Sequence, residues 1–267
     1  MKSAGLWMLT AVVGVALQAQ AVDRSRGELI VEASDAVTLG KLTYDKVTVN
    51  IKQSYVNPRV MAEYRFGGTA LSLGGEFSKL KNDYDGTFEY SDGSMTMDRT
   101  DWTLFARLGY RDSVNLRVGY RNFAYDVKDA ILNQRDNGVL TEQDTNGTAK
   151  GDLTTGIDAE LNLVFGEKVQ VGLSLGGTYF IGAKYDWAYD AAPGGHKTGT
   201  AKVDAYSARI RPELAFLLAD NLQLFVNYTL MATMWKGREV GNTNTDYPAY
   251  DVISAVGVGL RYSFGGP

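Results

Sequence analysis

Residues 256–264 read VGVGLRYSF, and every second side chain changes character: Val256, Val258, Leu260, Tyr262 and Phe264 fall on one side, Gly257, Gly259, Arg261 and Ser263 on the other. Successive side chains of a strand point to opposite faces, so this period of two marks a β-strand with two unlike environments. A soluble sheet packed on a core produces the pattern, and so does a wall between hydrocarbon and a polar interior.

The same alternation recurs in pairs of runs joined by tight turns. Val60, Ala62, Tyr64 and Phe66 lead through Gly67-Gly68 to Leu71, Leu73, Gly75 and Phe77. Trp102, Leu104, Ala106 and Leu108 lead through Arg111-Asp112-Ser113 to Leu116, Val118 and Tyr120. Ile157 to Phe165 turns at Gly166-Glu167-Lys168 into Val169 to Leu175, and Ala208 to Phe216 turns at Ala219-Asp220-Asn221 into Leu224 to Leu230. Opposite these apolar positions, with Lys52 from an earlier run, stand Arg59, Glu63, Arg65, Glu76, Asp101, Arg107, Arg117, Arg121, Asp158, Glu160, Arg209, Arg211, Glu213 and Arg261. Phe105, Val164 and Phe225 break the polar face.

Three features favour the membrane wall. The N-terminus carries Lys2, an apolar run from Leu6 to Leu17 and Ala19-Gln20-Ala21, which is the pattern of a cleaved secretory signal over residues 1–21. Short turns alternate with long connections at 80–98, 126–151, 182–200 and 236–249, as in outer-membrane barrels. Aromatic residues gather at run ends, among them Tyr64, Phe66, Trp102, Tyr120, Phe165, Tyr179, Tyr228, Tyr262 and Phe264, where two interfacial girdles would lie.

The bulk numbers agree. With 30 Gly, 16 Tyr and 5 Pro in 267 residues, the chain looks like many short strands and turns. It has no Cys, which excludes thiol catalysis and Cys-based metal sites. A formal charge of −4 provides no basic footprint, so nucleic acid is not an expected partner.

The expected architecture is an all-β, antiparallel up-and-down transmembrane barrel of about ten strands, with twelve as the alternative. Residues 46–264 would form it, starting with KVTVNIKQSY and a short connection at Val56-Asn57-Pro58. Residues 22–45 are left as a periplasmic segment and 265–267 as a tail. Pro212 falls within a strand that has no free edge and predicts a bulge or register change there.

With its signal, alternation and terminal strand, the chain resembles the outer-membrane β-barrels of Gram-negative bacteria over roughly 46–264. The resemblance implies a place in the outer membrane, contact with its lipid and lipopolysaccharide, and a last strand read by the barrel-assembly machinery. Here Gly265, Gly266 and Pro267 follow the aromatic Phe264, where that superfamily usually ends.

Function divides into classes. The polar face holds nine basic and six acidic residues. In so narrow a barrel they form either a salt-bridged plug or a narrow, mildly anion-leaning solute path beside Gly172, Gly176, Gly257 and Gly259. The connection at 80–98, with Asp83, Tyr84, Asp85, Phe88, Tyr90 and Asp92, is a receptor or adhesin candidate. The ten-stranded omptin proteases use acidic pairs and an Asp–His pair, for which the candidates are Asp83, Asp85, Asp190 and the single histidine His196. The Asp190–His196 spacing departs from the omptin Asp-x-His. Calcium at Asp144-Thr145-Asn146-Gly147 or at Asp83 and Asp85 lacks a motif with the required spacing. The expectation is therefore a non-enzymatic barrel without metal or cofactor.

Overall fold

The computed structural model describes residues 27–44, 47–55, 57–88, 91–110, 113–136, 139–192, 194–239 and 248–264. The expected signal peptide and C-terminal tail lie outside the described residues. Eleven antiparallel strands account for nearly all of the described chain: β1 (Glu28–Tyr44), β2 (Val47–Ser54), β3 (Arg59–Arg65), β4 (Leu71–Phe88), β5 (Ser91–Tyr110), β6 (Val114–Asp136), β7 (Val139–Phe165), β8 (Val169–Ala192), β9 (Gly195–Ala219), β10 (Leu222–Glu239) and β11 (Pro248–Phe264).

The sheet closes on itself. From β4 to β11 each strand pairs with the next, and β11 pairs with β1 along Leu29–Tyr44. Strands β2 and β3 together make one interrupted stave between β1 and β4: β3 pairs with Glu28–Ser34 of β1, and β2 with Lys41–Tyr44. The wall thus has ten staves. Residue pairing followed once round from Leu73 passes through Ala106, Val118, Ala159, Gly177, Ala208, Ala232, Val252, Lys41 and Asn50, and returns to β4 at Asp85, twelve residues further on. That stagger tilts ten strands by about 40°.

The expected count of ten holds, but its composition changes. Glu28–Tyr44, expected outside the barrel, is the strand that closes it. Without it, β11 would present a bare edge to lipid, where no water can satisfy its backbone. Since β2 and β3 are two halves of one stave, the outer turn expected between them is not made. The regular alternation of β1 is masked by Ile30, which is buried inside, and Asp35, which is exposed outside.

Two further expectations are corrected. Three of the long connections are continuations of the strands: β4–β5 pair up to Phe88–Ser91, β6–β7 up to Asp136–Val139 and β8–β9 up to Ala191–Gly195, while most of the fourth, at 236–249, lies outside the described residues. Above the bilayer both faces meet water, so the one-sided pattern vanishes while the backbone ladder continues. Pro212 causes no register shift, pairing in line with Leu173 on β8. The ladder towards β10 passes from Glu213 to Ile210 in the same register. The tight turns match the sequence reading at Gly68 and Gly166, whose positive φ of 69° and 96° suits glycine.

Burial is inverted relative to a soluble protein. Leu104 and Val171 are 60% and 55% exposed, whereas Asp158 and Glu160 are 0% and 1% exposed. A continuous exposed apolar belt of this kind needs hydrocarbon around it. Ring pairs flank the belt, Trp102–Tyr120 and Tyr179–Tyr206 towards the long hairpins, Tyr64–Phe66 and Tyr262–Phe264 near the short turns.

Candidate functional site

Strand alternation places the charged side chains in the lumen, and closure brings together residues far apart in sequence. An alternating chain of acids and bases runs round the interior. Arg261 reaches Glu213 at 2.8 Å and Glu32 at 2.9 Å. Glu32 also meets Arg59, which holds Glu76 at 3.0 Å. Glu76 meets Arg117 at 2.7 Å, and Arg117 lies 3.8 Å from Asp158. Asp158 and Glu160 share Arg209 at 3.2 and 2.7 Å, which returns the chain to β9. Below it, Glu63 takes Arg107 at 3.2 Å. Towards the outer side, Arg99 grips Asp101 with two hydrogen bonds of 2.8 and 3.0 Å, and Arg121 donates to the same carboxylate at 3.0 Å. Such pairs offset the penalty of taking charge out of water only when nearly every lone pair is used.

The aromatic residues that break the polar face belong to the same filling. Arg117 lies over the Phe105 ring at 4.2 Å and Arg261 over Phe225 at 5.1 Å. Of the interior glycines, Gly74, Gly176, Gly257 and Gly259 are sockets for such groups, whereas Gly172 lines the cavity at the short-turn end. A Cβ on Gly74 or Gly259 would stand 2.5 Å from Phe105 or Phe225, one on Gly257 2.8 Å from Asn227 Oδ1, and one on Gly176 3.1 Å from Arg209. Gly74→Ala is therefore expected to cost about 1–3 kcal/mol, read as a lower urea midpoint for unfolding from vesicles; an unchanged midpoint would show that Phe105 yields freely. Higher up, Phe123, Phe180 and Ala205 form a buried cluster with Tyr125 against it. At the short-turn end a cavity of about 430 Å³ is lined by Arg65, Arg107, Arg211, Asn162 and Gln223.

Of the residues expected in the lumen, Lys52 is misplaced. Asn50 pairs with the outward Asp85 and Ile51 with the buried Tyr84, so alternation up to the register shift at Gln53 carries Lys52 outwards, where it pairs with Asp85 at 3.1 Å with both side chains at least half exposed. The sequence reading missed Glu28, Glu32, Arg99 and Asp251. The first two lie on β1, and the others fall just beyond the stretches 80–98 and 236–249 taken as connections, outside the alternating runs.

The four residues considered for catalysis do not converge. Asn82 and Tyr84 are buried inside, so alternation turns Asp83 and Asp85 of β4 to the outside. Asp83 accepts from Tyr55 and Thr96 at 2.6 and 2.7 Å. On β9 the odd positions face inwards from Ala205, without a register change on that strand, which turns His196 outwards together with its partner Asp190 on β8. His196 Nδ1 lies 2.7 Å from Asp190, whose other oxygen accepts from Asn146 at 2.9 Å. Asn146 and then His196 hold the Asp190 carboxyl below its usual range. Strands β5 to β7 separate the two acidic sets round the ring. Among the described residues no group of three metal-ligating side chains forms.

No protein-family model matches the sequence, and no curated protein matches it. Solved structures do. The outer-membrane protease OmpT from Escherichia coli is similar with a TM-score of 0.57 at 7% identity, over 92% of this chain and 99% of that one. The translocator domain of the autotransporter NalP from Neisseria meningitidis gives 0.48 at 13% identity, over 97% and 95%. The outer-membrane protein OprG from Pseudomonas aeruginosa gives 0.39 at 11%, over 90% and 97%. At such identities the likeness speaks for fold alone. Together with the inverted burial and the aromatic girdles, it makes this chain a membrane-spanning β-barrel with the fold of outer-membrane barrel proteins.

Proposed function

We propose that this is a non-enzymatic barrel, closed along its axis, which holds a wall of strands above the outer surface for binding. The observation that carries the reading is the ring of ion pairs from Glu213 round to Arg209, with Glu63, Asp158 and Glu160 almost wholly withdrawn from solvent. A conducting path would need these groups hydrated and mobile. In planar bilayers the purified protein is expected to give no discrete current steps, and reproducible unitary steps in the wild type would overturn the closed-barrel reading.

Against a protease stands the outward placement of Asp83, Asp85, Asp190 and His196, away from the mouth where a substrate cleft would need them. Peptide cleavage lost in His196→Ala would reverse this. A receptor or adhesin role is favoured by the inner face of the wall. There Trp187 covers Gly199 and stacks on Tyr189 at 5.5 Å, with Lys197 5.5 Å from the Tyr189 ring. Aromatic faces on a rigid sheet are binding platforms. Lys41 and Lys79, exposed above the belt, suit the phosphates of lipopolysaccharide, and β11 with Tyr262 and Phe264 is the segment an assembly machinery would read.

A further inference from the structure

The lipid-facing side has one flaw. Asp35 of β1 pairs with Val258, at the centre of the outward series Val256, Val258, Leu260, and it is exposed like its partner. A carboxylate on the hydrocarbon side near mid-depth is costly and marks function unless the fold requires it. It stands where the ladder of β1 is interrupted, beside Tyr55, Asn57 and Pro58, which hydrogen-bond to β4 at 2.8–3.1 Å. On the side facing β2 and β3, the ladder of β1 stops at Ser34–Arg59 and resumes at Lys41–Asn50. The backbone edge from Asp35 to Gly40 has no strand partner there among the described residues. In hydrocarbon such an edge must be satisfied by other means.

Side chains bridge it. The Asn57 backbone N–H donates to Asp35 Oδ1 at 2.7 Å, the Asn57 amide to the Ala36 carbonyl at 3.2 Å, and the Thr38 N–H to Ser54 Oγ at 2.9 Å. From there hydrogen bonds continue inwards: the Asn57 amide donates to Thr38 Oγ1 at 3.3 Å, and Thr38 Oγ1 to Asn82 Oδ1 at 2.6 Å. Asn82 Nδ2, Asp251 Oδ1 and Thr233 Oγ1 are buried at the lumen end, with no hydrogen-bond partner among the described residues. Beside them, Met231 and Ile253 are 8% and 4% exposed, and Ile253 pairs with Gly40. A polar track thus crosses the wall, with a carboxylate at each end and an apolar lining at the inner one. Lys79, an exposed cation whose N–H donates to the Pro58 carbonyl at 3.0 Å, has a stem long enough to carry its charge to the headgroups.

We propose that the Asp35–Gly40 edge is a lateral portal through which a single-chain amphipathic amine passes between the outer leaflet and the upper lumen. Its ammonium would exchange Asp35 for Asp251, and its tail would slide past Met231 and Ile253. The portal lies on the outer side of the ion-pair ring, so it is compatible with a barrel closed along its axis, and silence in planar bilayers does not test it.

The test uses the full mature chain in phosphatidylcholine vesicles with dodecyltrimethylammonium carrying a chain diazirine. Adducts are mapped by mass spectrometry on β11 and β10. Outward Val256 and Val258 should label in every variant and serve as the internal reference. Inward Met231 and Ile253 should label in the wild type, and about tenfold less in Asp35→Asn, which keeps an acceptor for the Asn57 N–H but removes the charge. Asn57→Ala, with the bridge loosened, should raise inward labelling. Folding of each variant is checked by its heat-dependent mobility on gels. Inward residues that stay unlabelled, labelling unchanged in Asp35→Asn, or equal labelling by the matching dodecyl sulfate probe would each overturn the proposal.

Discussion

Replacing Glu160 by alanine is expected to destabilise the barrel by about 3–5 kcal/mol, measured as a shift in urea-induced unfolding from lipid vesicles. Glu160 is 1% exposed and holds Arg209 at 2.7 Å, with Arg211 at 3.6 Å. Removal leaves Arg211 facing the lumen without its nearest carboxylate and halves the compensation of Arg209. The loss comes from stranded charge and not from the pair's own worth, since a buried pair as a whole adds little net stability. The double variant Glu160→Ala, Arg209→Ala should therefore recover part of the loss. A single-variant cost below about 1 kcal/mol, the level of an exposed pair, would mean that water reaches this layer and the ion-pair ring is no seal.

A charge on the opposite face tests the membrane reading itself. Val226 pairs with Val258 and Leu214 in the exposed belt. Val226→Arg should cost about 2–4 kcal/mol in vesicles, as a guanidinium near mid-bilayer does. Thr198→Arg, outward on the same wall but near the tip of the β8–β9 hairpin, should fall within about 0.5 kcal/mol of wild type. Equal effects at the two positions would show that both faces meet water, and would end the interpretation of this sheet as a membrane wall.

The two predictions rest on features legible to different degrees. The hairpins at Gly67-Gly68 and Gly166-Glu167-Lys168, and the inward set from Arg59 to Arg261, follow from alternation because one lipid face tolerates only apolar groups. Lys52 was misjudged because a single bulge puts alternate residues before and after it on opposite faces, so the run up to Lys52 is out of step with Gln53 to Tyr55, and composition does not announce bulges. Glu32 was missed because β1 carries Ile30 inside and Asp35 outside, which breaks the pattern that would reveal it. Its place became visible only through its partners Arg59 and Arg261, which lie 27 and 229 residues away in the chain.

Local sequence therefore determined the kind of wall: period two, a charge-free belt along the hairpins it revealed, aromatic girdles and short turns are properties of neighbouring residues. Ring closure, the pairing of particular acids with particular arginines, the outward turn of His196 and the gap beside Asp35 were decided only by tertiary structure. They depend on register and stagger summed round ten staves, and each contact joins strands whose residues carry no mark of one another in the linear chain.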